Sequence, residues 1–246
     1  MTHALELKHL SMNFGGLKVT NDVSLTLPVG ARTALIGPNG AGKTTLINLI
    51  SGLLTPTDGQ VLLMGEDVTA LTPATRVHRG MIRSFQVTRL FQDMTIAEHL
   101  TFAIRAQSHR MGGVWRAMTA DPATEVRGAE LIESLGLGPL RHRRVDEIAY
   151  GQQRLVEIAI ALAMKPKVLL LDEPAAGIPR DGMDLVLNAL DVLPDDLAVI
   201  MIDHDMDLVR RFAQQIVVLA AGQIIANGTP AEISHNAEVR SAYLGE

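Results

Sequence analysis

The 246-residue sequence predicts an α/β fold in which a largely parallel sheet is covered by helices on both faces. Short apolar segments alternate with helical spacing along most of the chain. One segment, residues 168–171, is a run of four apolar residues, typical of a strand buried on both faces. The middle of the chain shows mostly helical spacing instead. We therefore expect a sheet core formed by residues 1–94 and 166–246, interrupted by a helical subdomain at residues 95–165.

The first part of the core begins with two strands. Residues 5–12 and 23–27 alternate apolar and polar side chains, which is typical of antiparallel strands with one solvent-exposed face. A short apolar strand at residues 34–36 ends in a glycine-rich turn. Residues 44–51 then show helical spacing, and Gly52 is expected just beyond the helix because glycine readily adopts a left-handed conformation.

Further strands complete the predicted sheet. Residues 60–64 follow a turn, and residues 81–85 also resemble a strand. After the helical middle, strands are expected at residues 168–171, 198–202, 216–220 and 223–226. Helices occupy most of the gaps between them, and this order favours parallel pairing.

The composition excludes several classes of protein. The formal net charge of −5 argues against a protein that mainly neutralises nucleic-acid phosphates, and the aromatic content of 3% is too low for base-stacking platforms. The absence of cysteine excludes disulfide frameworks, thiolate nucleophiles and cysteine-ligated zinc. No run of 18 apolar residues or signal-peptide layout is present. We expect a cytoplasmic protein unless a partner holds it at a membrane.

A phosphate-binding loop is the strongest motif in the chain. Residues 37–45 fit the pattern G-x-x-x-x-G-K-[ST] and lie between a predicted strand and a predicted helix, as this loop requires. Its glycines let backbone N–H groups converge on phosphate oxygens at a helix N-terminus. Lys43 would bridge the terminal phosphates, and the Thr44 hydroxyl would ligate Mg²⁺. The predicted ATP-binding residues of this loop are Gly37, Pro38, Asn39, Gly40, Ala41, Gly42, Lys43, Thr44 and Thr45.

Two acidic residues follow the buried strand at residues 168–171. Asp172 lies at the carboxyl end of this strand, where sheets of this kind bind ligands, and could hold Mg²⁺ directly or through water. Glu173 can orient and polarise the attacking water. Gln86 and His204 also follow predicted strands and would project toward the same site, although either residue alone is as often an ordinary surface residue.

These motifs occur in the order found in ATP-binding cassette (ABC) ATPases, and the resemblance covers essentially the whole chain. It includes the loop, Gln86, the segment at residues 148–152, the strand before Glu173, and His204. More narrowly, the chain resembles the larger ATP-binding subunit of branched-chain amino acid importers. The segments that carry this narrower resemblance are residues 14–17, 85–91, 149–154, 172–177, 204–206, 226–230 and 242–245.

The resemblance implies a P-loop NTPase core with a mixed, largely parallel sheet, an antiparallel N-terminal β subdomain and a helical insert. Two such domains would pack head to tail around two ATP molecules. Each ATP would meet the phosphate loop, Gln86 and the catalytic residues Lys43, Glu173 and His204 of one chain, with Phe14 stacked on the adenine. Gln86 would join Thr44 and Asp172 at Mg²⁺. The partner chain's ATP would meet the signature residues Ala149, Tyr150, Gly151 and Gln152, with Gly151 opening a helix at residues 152–164.

The function that the resemblance implies is ATP hydrolysis that powers a membrane importer for branched-chain or hydrophobic amino acids or a related small solute. Its partners would be a second ABC ATPase, two membrane permease subunits and an external solute-binding protein, with no nucleic acid. The chain would lie peripherally on the cytoplasmic face of the inner membrane. Alternatives are the ATPase of a lipid or lipopolysaccharide exporter, a soluble ABC-type clamp, and a phosphotransferase with a phosphate loop.

Two positions depart from the general pattern of ABC ATPases. Ala149 stands where the general signature has serine, so a hydroxyl that could bond to phosphate is missing. This variant resembles the branched-chain subgroup. Pro179 stands where relatives carry aspartate or asparagine, and proline offers neither a polar side chain nor an N–H. We therefore expect Pro179 to weaken communication between this loop and the ATP bound by the partner chain.

Overall fold

A computed structural model of the chain describes residues 3–84, 90–107, 122–178 and 182–244. Two compact units are present. The first, called the core unit below, comprises Met1–Arg83, Lys167–Glu173 and Pro194–Glu246. The second, called the helical unit, comprises Ser84–Pro166 and Pro174–Leu193.

The core unit contains two sheets. An antiparallel four-stranded sheet has the order β2–β1–β4–β5, and a six-stranded sheet has the order β10–β9–β3–β8–β7–β6. The strands of the first are β1 (His3–Phe14), β2 (Leu17–Pro28), β4 (Asp58–Leu63) and β5 (Glu66–Asp67). Those of the second are β3 (Arg32–Ile36), β6 (Met81–Arg83), β7 (Val168–Asp172), β8 (Ala198–Ile202), β9 (Gln215–Ala220) and β10 (Gln223–Gly228).

The six-stranded sheet is parallel except for the hairpin of β9 and β10. Every residue of β7 and β8 is buried, as expected for strands that are apolar on both faces. The two strands pair from Val168 opposite Ala198 to Asp172 opposite Ile202. Their carboxyl ends therefore lie side by side. The predicted α/β class, with its antiparallel N-terminal sheet, is confirmed.

Five helices of the core unit are described. They are α1 (Lys43–Ser51), α2 (Pro73–Arg79), α7 (Met206–Phe212), α8 (Pro230–His235) and α9 (Ala237–Leu244). Helix α1 ends at Gly52, whose φ of 81° lies in the left-handed region, as predicted. Helices α2 and α8 each begin at a threonine N-cap followed by proline, a residue that suits the first helical turn.

The helical unit is built from four described helices. They are α3 (Ile96–Gln107), α4 (Pro122–Ser134), α5 (Tyr150–Ala163) and α6 (Met183–Asp191), with short 3₁₀ helices at Gly138–Leu140 and Val145–Glu147. Helices α3, α4 and α5 pack against one another, and α6 packs against α5. Their shared interior contains the fully buried Leu100 and Val156.

The division of the chain differs in detail from the expected one. Residues 84–94 and 174–193 group with the helical unit, whereas the sequence placed them in the core. For residues 183–191 the physical reason is packing within the helical unit, because α6 lies against α5. Among the helices in the described part of the chain, none is long and apolar enough to cross a bilayer.

Candidate active site

The carboxyl ends of four adjacent strands form one edge of the six-stranded sheet. In spatial order these strands are β3, β8, β7 and β6, and all are parallel. Parallel strands bring their carboxyl ends to the same edge, which is where such sheets bind ligands. The phosphate loop follows β3, and His204 lies two residues beyond β8. Glu173 follows β7, and Arg83 ends β6.

The phosphate loop requires glycine at two positions where backbone approaches backbone. Gly37 has a φ of 157°, and a Cβ atom there would lie 2.1 Å from the carbonyl oxygen of Leu219. Gly42 has a φ of 100°, and its Cβ would lie 2.8 Å from the carbonyl oxygen of Val19. Side chains at either residue would displace the neighbouring strand. The loop is thus held tightly between β2 and β9.

Helix α1 begins without a side-chain cap. Its N-cap is Gly42, which supplies no acceptor, so the first N–H groups of a nine-residue helix are not satisfied by a capping side chain. Thr44 is exposed in the first turn. Such a helix N-terminus favours an anion because its dipole and its amide donors act together.

Lys43 binds back onto the phosphate loop. Its Nζ donates hydrogen bonds to the carbonyl oxygens of Gly37 at 2.7 Å and Pro38 at 3.0 Å. Desolvation lowers the pKa of this ammonium group, and the nearby Glu173 carboxylate acts in the opposite direction. The ammonium group is therefore held at the loop, where it can bind phosphate oxygens.

Asp172 is buried and paired with an arginine. Its Oδ2 accepts a hydrogen bond from Arg83 Nη2 at 2.7 Å, and Arg83 Nη1 donates to Asn48 Oδ1 at 2.6 Å. The Asp172 and Arg83 side chains are only 9% and 13% exposed. The other carboxylate oxygen, Oδ1, does not take part in this ion pair. One carboxylate oxygen is therefore committed to the guanidinium group.

Glu173 and His204 lie together at the ends of adjacent strands. The distance from His204 Nδ1 to Glu173 Oε1 is 3.8 Å, longer than a hydrogen bond. Glu173 has a φ of 49°, unusual for a residue with a side chain, and its N–H donates to the carbonyl oxygen of Ile202 at 2.8 Å. The Glu173 side chain is 29% exposed. A carboxylate that stays within reach of solvent can accept a proton from an attacking water.

Asp203 is a further buried acid at this edge. Its Oδ1 accepts a hydrogen bond from Asp205 N–H at 2.9 Å. Its Oδ2 is buried and has no hydrogen-bond partner among the described residues. Burial raises the pKa of this carboxyl group. Asp203 was not predicted as a site residue, because an acid next to a histidine at a strand end is not a distinctive sequence pattern.

The side chains at this edge suit a magnesium ion that arrives with a nucleotide. Mg²⁺ prefers hard oxygen ligands, keeps several waters, and is usually held by one or two protein oxygens together with phosphates. The Thr44 hydroxyl and Oδ1 of Asp172 are oxygen ligands of this kind. No group of three or more acidic or histidine side chains that could hold a metal occurs in the described ranges. The protein side chains alone therefore do not form a complete cage.

Phe14 lies at the end of β1, next to the turn that leads to β2. Its ring is about half exposed, at 48%. Since Val19 of β2 contacts the backbone at Gly42, this hairpin lies beside the phosphate loop. An exposed ring near the loop is compatible with stacking on a base, which stays a prediction.

The predicted signature residues lie in the helical unit and begin helix α5. This helix starts at Tyr150, with Ala149 as its N-cap, so the expected start at Gln152 is wrong by two residues. Ala149 has no side-chain acceptor, and only the reciprocal bond from Ala149 N–H to Gln152 Oε1 is made, at 3.0 Å. The first turn of α5, which includes Gly151, therefore lacks a capping side chain. Such an end can receive an anion.

Tyr150 is held by two neighbours within the helical unit. The Arg154 guanidinium lies 5.3 Å from the centre of its ring, within cation–π range. A Cβ at Gly177, where φ is 76°, would lie only 3.2 Å from the ring. Arg154 is itself buried and paired with Glu157 at 2.8 Å. The tyrosine ring therefore lies between Arg154 and the backbone at Gly177, beside the N-terminus of α5.

Two predicted residues fall outside the described part of the chain. These are Gln86 and Pro179. Their expected roles at the metal and at the partner's ATP stay predictions. Arg83, which pairs with Asp172, and Asn48, which accepts a hydrogen bond from Arg83, were not among the predicted site residues. The available signal was an arginine in an otherwise apolar strand just before Gln86, a position where a charged side chain needs a buried partner.

A phosphate loop at an uncapped helix start, with two acids at the carboxyl end of β7, is typical of a nucleotide-hydrolysing α/β protein, and the comparison with known families agrees. The family model described as ABC transporter matches residues 20–176, well over half of the chain. The chain therefore belongs to the ABC transporter family, as a subunit that binds and hydrolyses ATP. A second model, described as branched-chain amino acid ATP-binding cassette transporter, matches residues 223–246.

The chain is similar to curated relatives over nearly its full length. It is 37% identical to the high-affinity branched-chain amino acid transport ATP-binding protein BraF of Pseudomonas aeruginosa, with 98% of both chains covered. It is 38% identical to the protein LivG of Escherichia coli strain K12, which carries the same description, again with 98% of both chains covered. The resemblance inferred from the sequence motifs is confirmed.

Solved structures give the same fold. An ATP-binding cassette of an ABC transporter, determined in its ADP conformation, matches with a TM-score of 0.86 and 29% identity, covering all of both chains. A nucleotide-free ATP-binding cassette from an ABC transporter matches with a TM-score of 0.84 and 28% identity, covering 99% of this chain and all of the other.

Proposed function

We propose that this chain is the ATP-hydrolysing subunit of a membrane importer and that it powers the uptake of branched-chain amino acids. The observation that carries this proposal is the end-to-end similarity to BraF and LivG, which includes the C-terminal match at residues 223–246. The relatives are described as branched-chain amino acid transport proteins over the same length. An ATPase with the same motifs and the same C-terminal segment suits the same task.

The proposed chemistry uses the residues at the sheet edge. The amides of residues 37–45 and Lys43 would hold the phosphates, because both converge on the start of α1. Glu173 would orient the attacking water and accept its proton, with His204 beside it. Magnesium, when bound with ATP, supplies positive charge to the phosphate oxygens. Thr44, Asp172 and Gln86 would hold it.

The proposed assembly contains further subunits. A second ATP-binding subunit would place its own nucleotide against Ala149, Tyr150, Gly151 and Gln152, since the uncapped start of α5 suits an anion. Two permease subunits and an external solute-binding protein would complete the importer. In this assembly the chain lies peripherally on the cytoplasmic face of the membrane.

Uptake by cells of the source organism tests the proposal. Deleting the gene for this chain is expected to abolish high-affinity uptake of labelled leucine, isoleucine and valine. Wild-type chain should restore uptake, and Glu173→Gln should not. Glu66→Gln is a matched control, because Glu66 is an exposed carboxylate of β5 paired with Arg79. Unchanged uptake of all three amino acids would contradict the importer assignment. Accumulation of lipid or lipopolysaccharide at the inner membrane would favour an exporter instead.

A further inference from the structure

We infer that Arg83 is the resident counter-ion of Asp172, a positioning residue that keeps Mg²⁺ from binding at Asp172 until a nucleotide arrives. The inference rests on the proposed role of Asp172 at the metal. It concerns the site before nucleotide binds. Three features of the core unit carry it: the pairing of Arg83, the balance of charge around Asp172, and the anchoring of the guanidinium to α1.

The pairing between Arg83 and Asp172 is close and largely shielded from water. The two groups meet at 2.7 Å with side-chain exposures of 13% and 9%. Charge-assisted hydrogen bonds of this length are strong, and low exposure reduces the screening of the attraction. A metal ion that used Oδ2 would have to displace the guanidinium group. Only Oδ1 of Asp172 stays available.

Two cations offset the two carboxylates at the end of β7. Lys43 and Arg83 supply two positive charges against the negative charges of Asp172 and Glu173, while Asp203 is a further buried acid at the end of β8. A bare divalent cation therefore meets little net attraction at Asp172 itself, where the adjacent guanidinium repels it. A nucleotide changes the balance, because its phosphates bring several negative charges to the start of α1. Mg²⁺ is then attracted together with the phosphates.

The guanidinium is also tied to the helix that carries the loop. Arg83 Nη1 donates to Asn48 Oδ1 at 2.6 Å, and Asn48 lies in α1. One side chain thus connects the end of β6, the end of β7 and the helix after the phosphate loop. This anchor fixes the rotamer of Arg83 and, through it, the orientation of the Asp172 carboxylate.

Metal binding to nucleotide-free protein tests the inference. We would titrate the purified chain with Mn²⁺, a paramagnetic substitute for Mg²⁺, and follow free Mn²⁺ by electron paramagnetic resonance. Wild type is expected to bind it weakly. Arg83→Gln should bind Mn²⁺ about tenfold more tightly or better, since a neighbouring arginine lowers the proton affinity of a carboxylate by at least that factor and opposes a metal cation by the same charge repulsion. Mg²⁺ alone should also raise the melting temperature of Arg83→Gln more than that of wild type.

Three further variants separate the inferred role from a general structural one. Arg79→Gln removes an exposed arginine paired with Glu66 and should bind Mn²⁺ as wild type does. Arg83→Lys keeps the positive charge and should stay close to wild type. Combining Arg83→Gln with Asp172→Asn should abolish the gained Mn²⁺ affinity, because the carboxylate that attracts the ion is removed.

Several results would overturn the inference. One is a Mn²⁺ affinity of Arg83→Gln equal to that of wild type, and another is a gain that persists without Asp172. If Arg83→Gln does not fold, Asn48→Ala carries the test, since it frees the guanidinium from its anchor and should give a smaller gain in Mn²⁺ affinity. No gain there would also overturn the inference. The importer function is tested by amino acid uptake and the role of Arg83 by Mn²⁺ binding. Failure of one proposal can therefore be distinguished from failure of the other.

Discussion

The guanidinium of Arg76 occupies the space that a side chain at Gly52 would need. A Cβ atom at Gly52 would lie 2.8 Å from Arg76 Nε. Arg76 is almost completely buried, and its Nη1 donates to the carbonyl oxygens of Leu49 at 2.7 Å and Ile50 at 2.6 Å. These carbonyls belong to the last turn of α1, which ends at Ser51. A buried cation therefore caps the helix that begins at the phosphate loop.

Replacing Arg76 by alanine is expected to lower the free energy of unfolding by about 3 kcal/mol, because several buried carbonyls lose a charged donor. Urea denaturation followed by circular dichroism measures the change. Arg79→Ala is the matched control in the same helix, and its exposed ion pair should contribute within about 0.5 kcal/mol. Equal losses in the two variants would contradict the capping role.

Glu173→Gln is expected to slow ATP hydrolysis by the purified chain roughly 10²- to 10⁴-fold, the usual effect of removing a general base. Binding of ATP should persist, since Lys43 and the loop amides are unchanged. Steady-state hydrolysis and fluorescent nucleotide binding measure the two effects. Glu66→Gln, at an exposed carboxylate, should hydrolyse ATP as wild type does. A Glu173→Gln variant that stays fully active would exclude Glu173 as the base.

Ala149→Ser is expected to raise the free energy of unfolding by about 1 kcal/mol. Ala149 is the N-cap of α5 and offers no side-chain acceptor, whereas a serine hydroxyl can accept a bond from the first turn. Ala149→Val cannot accept such a bond and serves as the control. Chemical denaturation of the three proteins gives the comparison. A gain in the valine variant as large as in the serine variant would show that capping is not the cause.

The stability of the protein should depend on pH through His99. Its buried imidazole accepts a hydrogen bond from Phe91 N–H at Nε2 and contacts the carbonyl oxygen of Thr95 through Nδ1. Burial lowers the pKa of His99. The unfolded chain therefore binds this proton at higher pH than the folded chain, and the free energy of unfolding falls as pH decreases through the ordinary histidine value of about 6.5.

The measurement is urea denaturation at pH 7.5 and pH 5.5. His99→Gln should lose less stability between these two conditions than wild type does. His142→Gln replaces an exposed histidine and should keep the pH dependence of wild type. An unchanged pH dependence in His99→Gln would assign the effect to other groups.

Much of the fold was predictable from local pattern. The strand at residues 198–202 is found with the predicted bounds, and the helix after the phosphate loop starts one residue earlier than expected. These elements have strong signals, namely apolar runs and a glycine just beyond the helix. The start of α5 was misplaced because its N-cap is alanine, which carries no capping signal.

The motifs and their order can be read directly from the chain. A phosphate loop between a strand and a helix, and two acids after a buried strand, depend on residue types and short spacings that can be counted along the chain. Which side chains meet depends on how the strands pair in the folded protein. Arg83 and Asp172 are 89 residues apart, and parallel pairing of β6 with β7 brings them to 2.7 Å. Such contacts follow from strand order and register, which short-range patterns do not contain.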